Sequence, residues 1–171
     1  IFSHMPGLKG VVPSDAYTAK GLLIAAIRDD DPVVYFEHKG LYGETGPVPE
    51  ELYELPLGKA RTVRPGTDIT LVGISKMTWV CTAAAEELAK EGIDAEVIDP
   101  RTVDSVSLDW QTIGASVERT NRLLLAEQTS RGPSLGARIV QEGQERLFDY
   151  LDHQILRVSG SRSAPVVSKI L

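Results

Sequence analysis

The chain has one cysteine, Cys81, so no disulfide can close within it. Doing without cross-links fits a reducing compartment. Cys81 falls on an apolar helical face, as a small buried thiol does; a reactive one needs an electropositive, accessible setting. Positive charge is also scarce: the net charge is −6 and the pI is about 5.1. That balance argues against a nucleic-acid partner, because phosphate recognition needs a basic face. No apolar run approaches the ~18 residues of a membrane-spanning helix, so no membrane partner is expected. The opening residues, IFSHMPGLKG, show neither a charged leader nor an apolar signal core. Short-period repeats and low-complexity tracts are missing as well.

Motifs of known chemistry are equally sparse. The sequence has no GxGxxG, Walker loop, GxSxG or CxxC. His4, His38 and His153 lie in different segments and make no metal-ligand spacing. His38, between Glu37 and Lys39 at a strand end, is the most site-like, since open α/β sheets hold ligands at C-terminal strand ends. A solvated strand-end histidine is the plainer reading. Ser130 to Ser134, SRGPS, precedes a helix and reads either as an anion site or as a simple helix entry. Asp29, Asp30 and Asp31 read either as a cation site or as a solvated turn.

What is present is a succession of α/β units. From Asp68, a β-branched run over Ile69 to Ile74 suits a buried strand. Met77, Val80, Cys81, Ala84 and Leu88 then share one helical face, and Gly92 supplies a left-handed helix end. Ala95 to Ile98 is a second strand, stopped by Asp99-Pro100. Strand, covering helix and strand make a crossover with parallel strands. An earlier unit has strands at Lys9 to Val12 and Val33 to Phe36 around a helix over residues 15 to 28. Its apolar face is Ala16, Ala19, Leu22, Leu23, Ala26 and Ile27. Between the units, Gly40 to Gly66 is rich in glycine, proline and glutamate and carries one short strand near Lys59 to Val63. Downstream, Ser107 caps a helix over Leu108 to Arg119, with Trp110, Ile113 and Val117 inward. Strands follow at Arg122 to Ala126 and Ile155 to Val158. The longest helix, over 134 to 151, turns Leu135, Ile139, Leu147, Phe148 and Leu151 inward. Gly143 within it marks a kink or a close contact. The fold class is α/β, a mostly parallel open sheet with helices on both faces.

The segments PGLK, DAYTAKGLL, IRDDDPVV, EHKGLY, PLGKA and IDPRT stand in an order and spacing that resembles the β subunit of thiamine-diphosphate-dependent 2-oxo acid dehydrogenases. Those are the decarboxylating components of the pyruvate, acetoin and branched-chain complexes. The resemblance runs from His4 to Leu171. It implies that residues 1–45 are the end of a thiamine pyrimidine-binding domain, 46–57 a linker and 58–171 a transketolase C-terminal domain. Such an enzyme performs oxidative decarboxylation of pyruvate or a related 2-oxo acid, or acetoin cleavage, with acyl transfer to lipoyl groups. Its partners are an α subunit, a second β chain and a lipoyl acyltransferase core. It works in the cytoplasm, or in the mitochondrial matrix of a eukaryote.

Residue by residue, the resemblance brings little chemistry to this chain. The cofactor-activating glutamate and the family's HSQ histidine belong upstream of Ile1, which makes the chain a piece of a longer subunit, inactive alone. No residue here is expected to be catalytic or to bind thiamine diphosphate, and magnesium belongs to the α subunit. A structural potassium ion is expected on carbonyls of Ala26, Ile27, Asp29 and Asp31. Two departures stand out: Asp31 replaces a frequent asparagine, and Gly132-Pro133-Ser134-Leu135-Gly136 replaces a Gly-Gly-Phe-Gly-like run. The ending GSRSAPVVSKIL lacks the family's aromatic residue. Alternatives are another thiamine enzyme of split-transketolase or deoxyxylulose-phosphate-synthase type, or a stand-alone α/β module binding a ligand near Glu127 or Ser130.

Overall fold

In the computed structural model, which describes residues 2–104 and 106–160, the chain forms two sheets. Most of the GSRSAPVVSKIL ending lies outside the described residues. The small sheet pairs β1 (Lys9–Val11) in parallel with β2 (Val33–Tyr35), joined through α1 (Ala16–Arg28). Asp15 starts α1 by accepting the Thr18 N–H at 2.7 Å while the Thr18 hydroxyl accepts the Asp15 N–H at 3.0 Å.

The large sheet holds β3 (Arg61–Arg64), β4 (Ile69–Gly73), β5 (Ala95–Asp99), β6 (Leu123–Ser130) and β7 (Leu156–Gly160) in the order β3-β5-β4-β6-β7. All neighbours are parallel except β3, which runs antiparallel to β5 with a bulge between Thr62 and Arg64. The period of two along the strands divides the core. Leu71, Val97 and Ala126 turn to the face covered by α2 (Met77–Lys90) with Cys81 and Ala85. Val72, Ile98 and Leu125 turn to the other face, onto α3 (Trp110–Thr120) and α4 (Leu135–Leu147) through Ile113, Val117, Ile139 and Leu147. Each fully buried side chain of this size contributes about 1.5–3 kcal/mol.

The small sheet is tied to the segment that follows β5. Opposite β2, β1 forms an antiparallel bridge, Val11 with Thr102, supported by Val12 N–H to the Arg101 carbonyl and Val103 N–H to the Gly10 carbonyl, both 2.8 Å.

Several local expectations need correction. α3 starts at Trp110, not Leu108, because the Asp109 carboxylate outcompetes the Ser107 hydroxyl as cap, accepting Thr112 N–H at 3.2 Å and Ala60 N–H at 3.0 Å. The last helix ends at Leu147 and tightens into a 3-10 turn over Phe148–Tyr150, which rotates Phe148 out to 67% exposure. That leaves α2, at 14 residues, longer than α4 at 13. Gly143 is a close contact: a Cβ there would stand 3.0 Å from Ile155 and 3.3 Å from the Trp110 ring.

Of the expected α2 face, Met77, Cys81 and Leu88 pack inward, joined by Thr78 and Ala85, whereas Val80 and Ala84 point to solvent. Gly73 sets this phase, because its Cα lies against the Met77–Thr78 backbone, where a Cβ would be 2.6 Å away. In α1 the buried residues are Thr18, Gly21 and Leu22; Leu23 and Ile27 are exposed.

Candidate functional site

Strand order reverses between β4 and β6, and the crevice above their C-terminal ends is where open α/β sheets place ligands. Phe36 and His38, following β2, close this crevice from the small sheet. A cavity of about 420 Å³ lies there, lined by Phe36, His38, Ser75, Val103, Ser134 and Leu135 among others. The His38 Nδ1 accepts the Gly40 N–H at 2.9 Å, which puts the proton of the neutral ring on Nε2, facing the Gln128 amide oxygen. Glu37 accepts the Tyr42 hydroxyl at 3.1 Å. His38, singled out in the sequence, thus links the small sheet to β6.

The entry to α4 is filled from within. The buried Glu127 carboxylate accepts the Ser134 hydroxyl at 2.7 Å and the Gly136 N–H at 2.9 Å, with Arg157 at 3.7 Å. This carboxylate occupies the positive end of the helix, where an outside anion would sit. A Cβ on Gly136 would stand 2.4 Å from it. SRGPS is a helix entry, and Glu127 serves it.

Between the sheets runs a polar seam. The Ser14 hydroxyl donates to Asp99 Oδ2 at 2.5 Å, and the Arg101 N–H donates to Asp99 Oδ1 at 3.0 Å. Burial pushes the Asp99 carboxyl above the usual aspartate range, against the pull of Ser14, Arg101 and Arg61. Arg61 donates to Asp15 at 2.8 Å. Burial works against the charged Asp15, yet its bonds to Thr18 and Arg61 hold the carboxyl below its usual range. Arg101, in a left-handed conformation at φ 57, is 7% exposed, and burial lowers its guanidinium. The Nε atoms of Arg61 and Arg101 are buried without an acceptor among the described residues. The Trp79 indole donates to the Ser14 carbonyl at 2.6 Å and Ser75 to the Pro13 carbonyl at 3.0 Å.

At the far end of α1 the structure brings Asp29 and Asp31 together on one ammonium: Lys9 Nζ lies 2.8 Å from Asp29 and 3.0 Å from Asp31. The bonds to Asp29 and Asp31 raise Lys9, and the bond from Lys9 lowers Asp29. The helix ends at Arg28 and Asp29 is extended, so the carbonyls of Ala26 and Ile27 fall in the last turn, beyond the intrahelical ladder. Cys81 is buried, and that burial pushes its thiol up to about 11, an unreactive setting. Among the described residues no group of three or more His, Cys, Asp or Glu side chains is placed to hold a metal.

Compared with known families, residues 58–169 match the model of the transketolase C-terminal domain, and residues 1–45 that of the transketolase pyrimidine-binding domain. The chain belongs to the transketolase C-terminal domain family. Relatives of this transketolase-type chain include the acetoin:2,6-dichlorophenolindophenol oxidoreductase subunit beta of Bacillus subtilis, 42% identical over 171 residues, covering 100% of this chain and 49% of that protein. The mitochondrial pyruvate dehydrogenase E1 component subunit beta-2 of Oryza sativa subsp. japonica is 45% identical over 164 residues, covering 94% and 43%. The Bacillus subtilis pyruvate dehydrogenase E1 component subunit beta is 44% identical over 160 residues, covering 93% and 49%. The chain spans about half the length of the curated relatives it matches. A solved split-gene transketolase, an inactive beta4 tetramer, superposes with a TM-score of 0.74 at 23% identity, covering 91% of this chain and 49% of that one, and shows the shared fold.

Sequence reasoning missed Ser14, Asp99 and Arg101 as a seam. One signal pointed there: Asp99 closes a fully buried strand and is followed by Pro100-Arg101, an unusual place for a carboxyl. Gln128 and Trp79 gave no comparable signal.

Proposed function

We propose that this chain is the closing portion of the β subunit of a thiamine-diphosphate-dependent 2-oxo acid dehydrogenase of pyruvate or acetoin type. The observation that carries this reading is identity of 42–45% to acetoin and pyruvate dehydrogenase β subunits along nearly the whole chain. Residues 1–45 are read as the end of the pyrimidine-binding domain, 46–57 as the linker and 58–171 as the C-terminal domain. The work of this portion is assembly: packing against the α subunit and a second β chain, and docking the lipoyl acyltransferase core. The complete enzyme then decarboxylates a 2-oxo acid, or cleaves acetoin, and passes the acyl group to a lipoyl arm.

The residues present do not fit thiamine diphosphate or its magnesium ion. The strand-end groups are engaged elsewhere: His38 with Gln128 and Gly40, Glu37 with Tyr42, and Glu127 with α4. Those ligands belong, on this reading, to the rest of the enzyme. Potassium is a different case. Carbonyls of Ala26, Ile27, Asp29 and Asp31, at a helix end whose acceptors need partners, suit a weakly hydrated cation. Lys9 contacts both aspartates and offsets part of their charge, and the ion itself would be held by the carbonyl dipoles.

A chimera tests the assembly role. The matching half of the Bacillus subtilis acetoin oxidoreductase β subunit is replaced by this chain and co-expressed with its α subunit. The expected result is a stable complex on gel filtration. A folded chimera that elutes apart from the α subunit overturns the reading.

A further inference from the structure

One half-buried imidazole closes the crevice on the side of the small sheet. Glu37 and His38 line two cavities at once: the space of about 420 Å³ against Val103 and Leu135, and a smaller one of about 210 Å³ against Pro13, Ala19 and Leu41. The His38 ring therefore stands as a wall between them, and both of its nitrogens are in use. Nδ1 accepts the Gly40 N–H at 2.9 Å and so caps the 3-10 turn Lys39–Leu41, while Nε2 faces the Gln128 amide oxygen on β6. A Cβ on Gly40 would stand 2.9 Å from both the ring and the Lys76 ammonium, so the two crowd the same side of that backbone.

We propose that His38 is a pH-operated latch: the neutral ring holds the end of the small sheet against β6, and a second proton releases it. Neutral imidazole has one acceptor nitrogen, and here the Gly40 N–H occupies it. Protonation turns that acceptor into a donor, so two N–H groups face each other with the Lys76 ammonium beside them. The ring then turns away from Gly40, which uncaps the 3-10 turn, and in turning it leaves Gln128 and opens the wall between the cavities. The charges around the ring are of both signs. Lys39 adjoins it, and Lys76 reaches the Gly40 carbonyl from the start of α2 at 3.4 Å. Glu37 holds the Tyr42 hydroxyl, while Asp15, bonded to Arg61, and Glu44 line the smaller cavity. Glu127, next to Gln128, is turned into α4. These charges offset one another, so the acceptor nitrogen decides the outcome. Histidine ordinarily changes charge between about pH 5 and pH 8, which sets the latch to open in mild acid. This inference stands on the contacts of His38 and not on the assembly role.

Nitrogen-15 NMR of the 171-residue chain from about pH 8 to about pH 5 reads the latch directly. At the upper end the imidazole signals should place the proton on Nε2. On acidification the Gly40 amide and the Gln128 side-chain amide should move together, with the same midpoint as the His38 ring. His38→Asn puts an uncharged acceptor at the cap, so both signals should hold still over the same range. Protection of the Gly40 N–H against hydrogen exchange, taken as the ratio of parent to asparagine variant, should fall about tenfold over the first pH unit below the midpoint. A parent ring protonated on Nδ1 at the upper end, amide signals that do not follow the ring, or signals that move as far in the asparagine variant overturn the proposal. If that variant does not fold, the tautomer and the shared midpoint in the parent chain still decide the matter.

Discussion

Ser14 and Asp99, 85 residues apart, share a 2.5 Å hydrogen bond at the point where the two sheets join. The Asp99 carboxyl is held above its usual range by burial, so the folded state holds this proton more tightly than the unfolded chain does. The stability cost of ionising it grows as pH rises above the ordinary 3.8 and disappears as pH falls back to it. Asp99→Asn carries no such cost at any pH. The melting temperature of the variant should therefore shift upward relative to the parent as pH rises from 4 to 7. Asp15 and Asp109, whose values are lowered, lose stability on acidification, but equally in both proteins. A parent–variant difference that is flat with pH contradicts the role given to Asp99.

Glu127 fills the N-terminal end of α4 and is buried with Arg157 beside it. Glu127→Ala strands the Gly136 N–H and removes the carboxylate facing Arg157, so urea unfolding should show a loss of about 2–4 kcal/mol. A loss under 1 kcal/mol would mean that water serves this helix end as well as the carboxylate does.

The connection between the sheets should open first at one place. Gly43 to Val48 is exposed throughout, whereas Lys20 holds the Glu50 and Glu51 carbonyls at 3.2 and 2.9 Å and Arg28 pairs with Glu54. A glutamate-specific protease should cut first after Glu44, and the two pieces should stay together on gel filtration because the seam joins them. First cuts at Glu86 or Glu87 would contradict this order.

Elements whose signal is local were legible in the sequence. The β-branched run of β4, the left-handed Gly92 at φ 80 and the period of α2 all act over a few residues, and the crossover followed from them. Contacts made across the fold were not. Glu127 meets Gly136 only because β6 delivers it to the start of α4, and Ser14 meets Asp99 only once β1 pairs with residues 101–103. On α2 the apolar count found Met77, Cys81 and Leu88 but put Val80 and Ala84 inward in place of Thr78 and Ala85, the side on which Gly73 lies against the Met77–Thr78 backbone. Family resemblance named the turn over Ala26, Ile27, Asp29 and Asp31, but not Lys9, twenty residues from Asp29, as its counter-charge.

In the intact enzyme, potassium should raise the melting temperature more than sodium does at matched ionic strength. Asp31→Asn should keep that preference, since the proposed site uses the main-chain carbonyl of that residue and not its carboxylate. Equal effects of the two salts would remove the proposed site.

The central claim is that this chain completes a dehydrogenase β subunit, and turnover by the chimera tests it most directly. Joined to the upstream half of the Bacillus subtilis acetoin oxidoreductase β subunit and assembled with its α subunit, the chain should support thiamine-diphosphate-dependent reduction of 2,6-dichlorophenolindophenol by acetoin or pyruvate, while the chain alone supports none. An assembled chimera that reduces the dye with neither substrate would contradict the account.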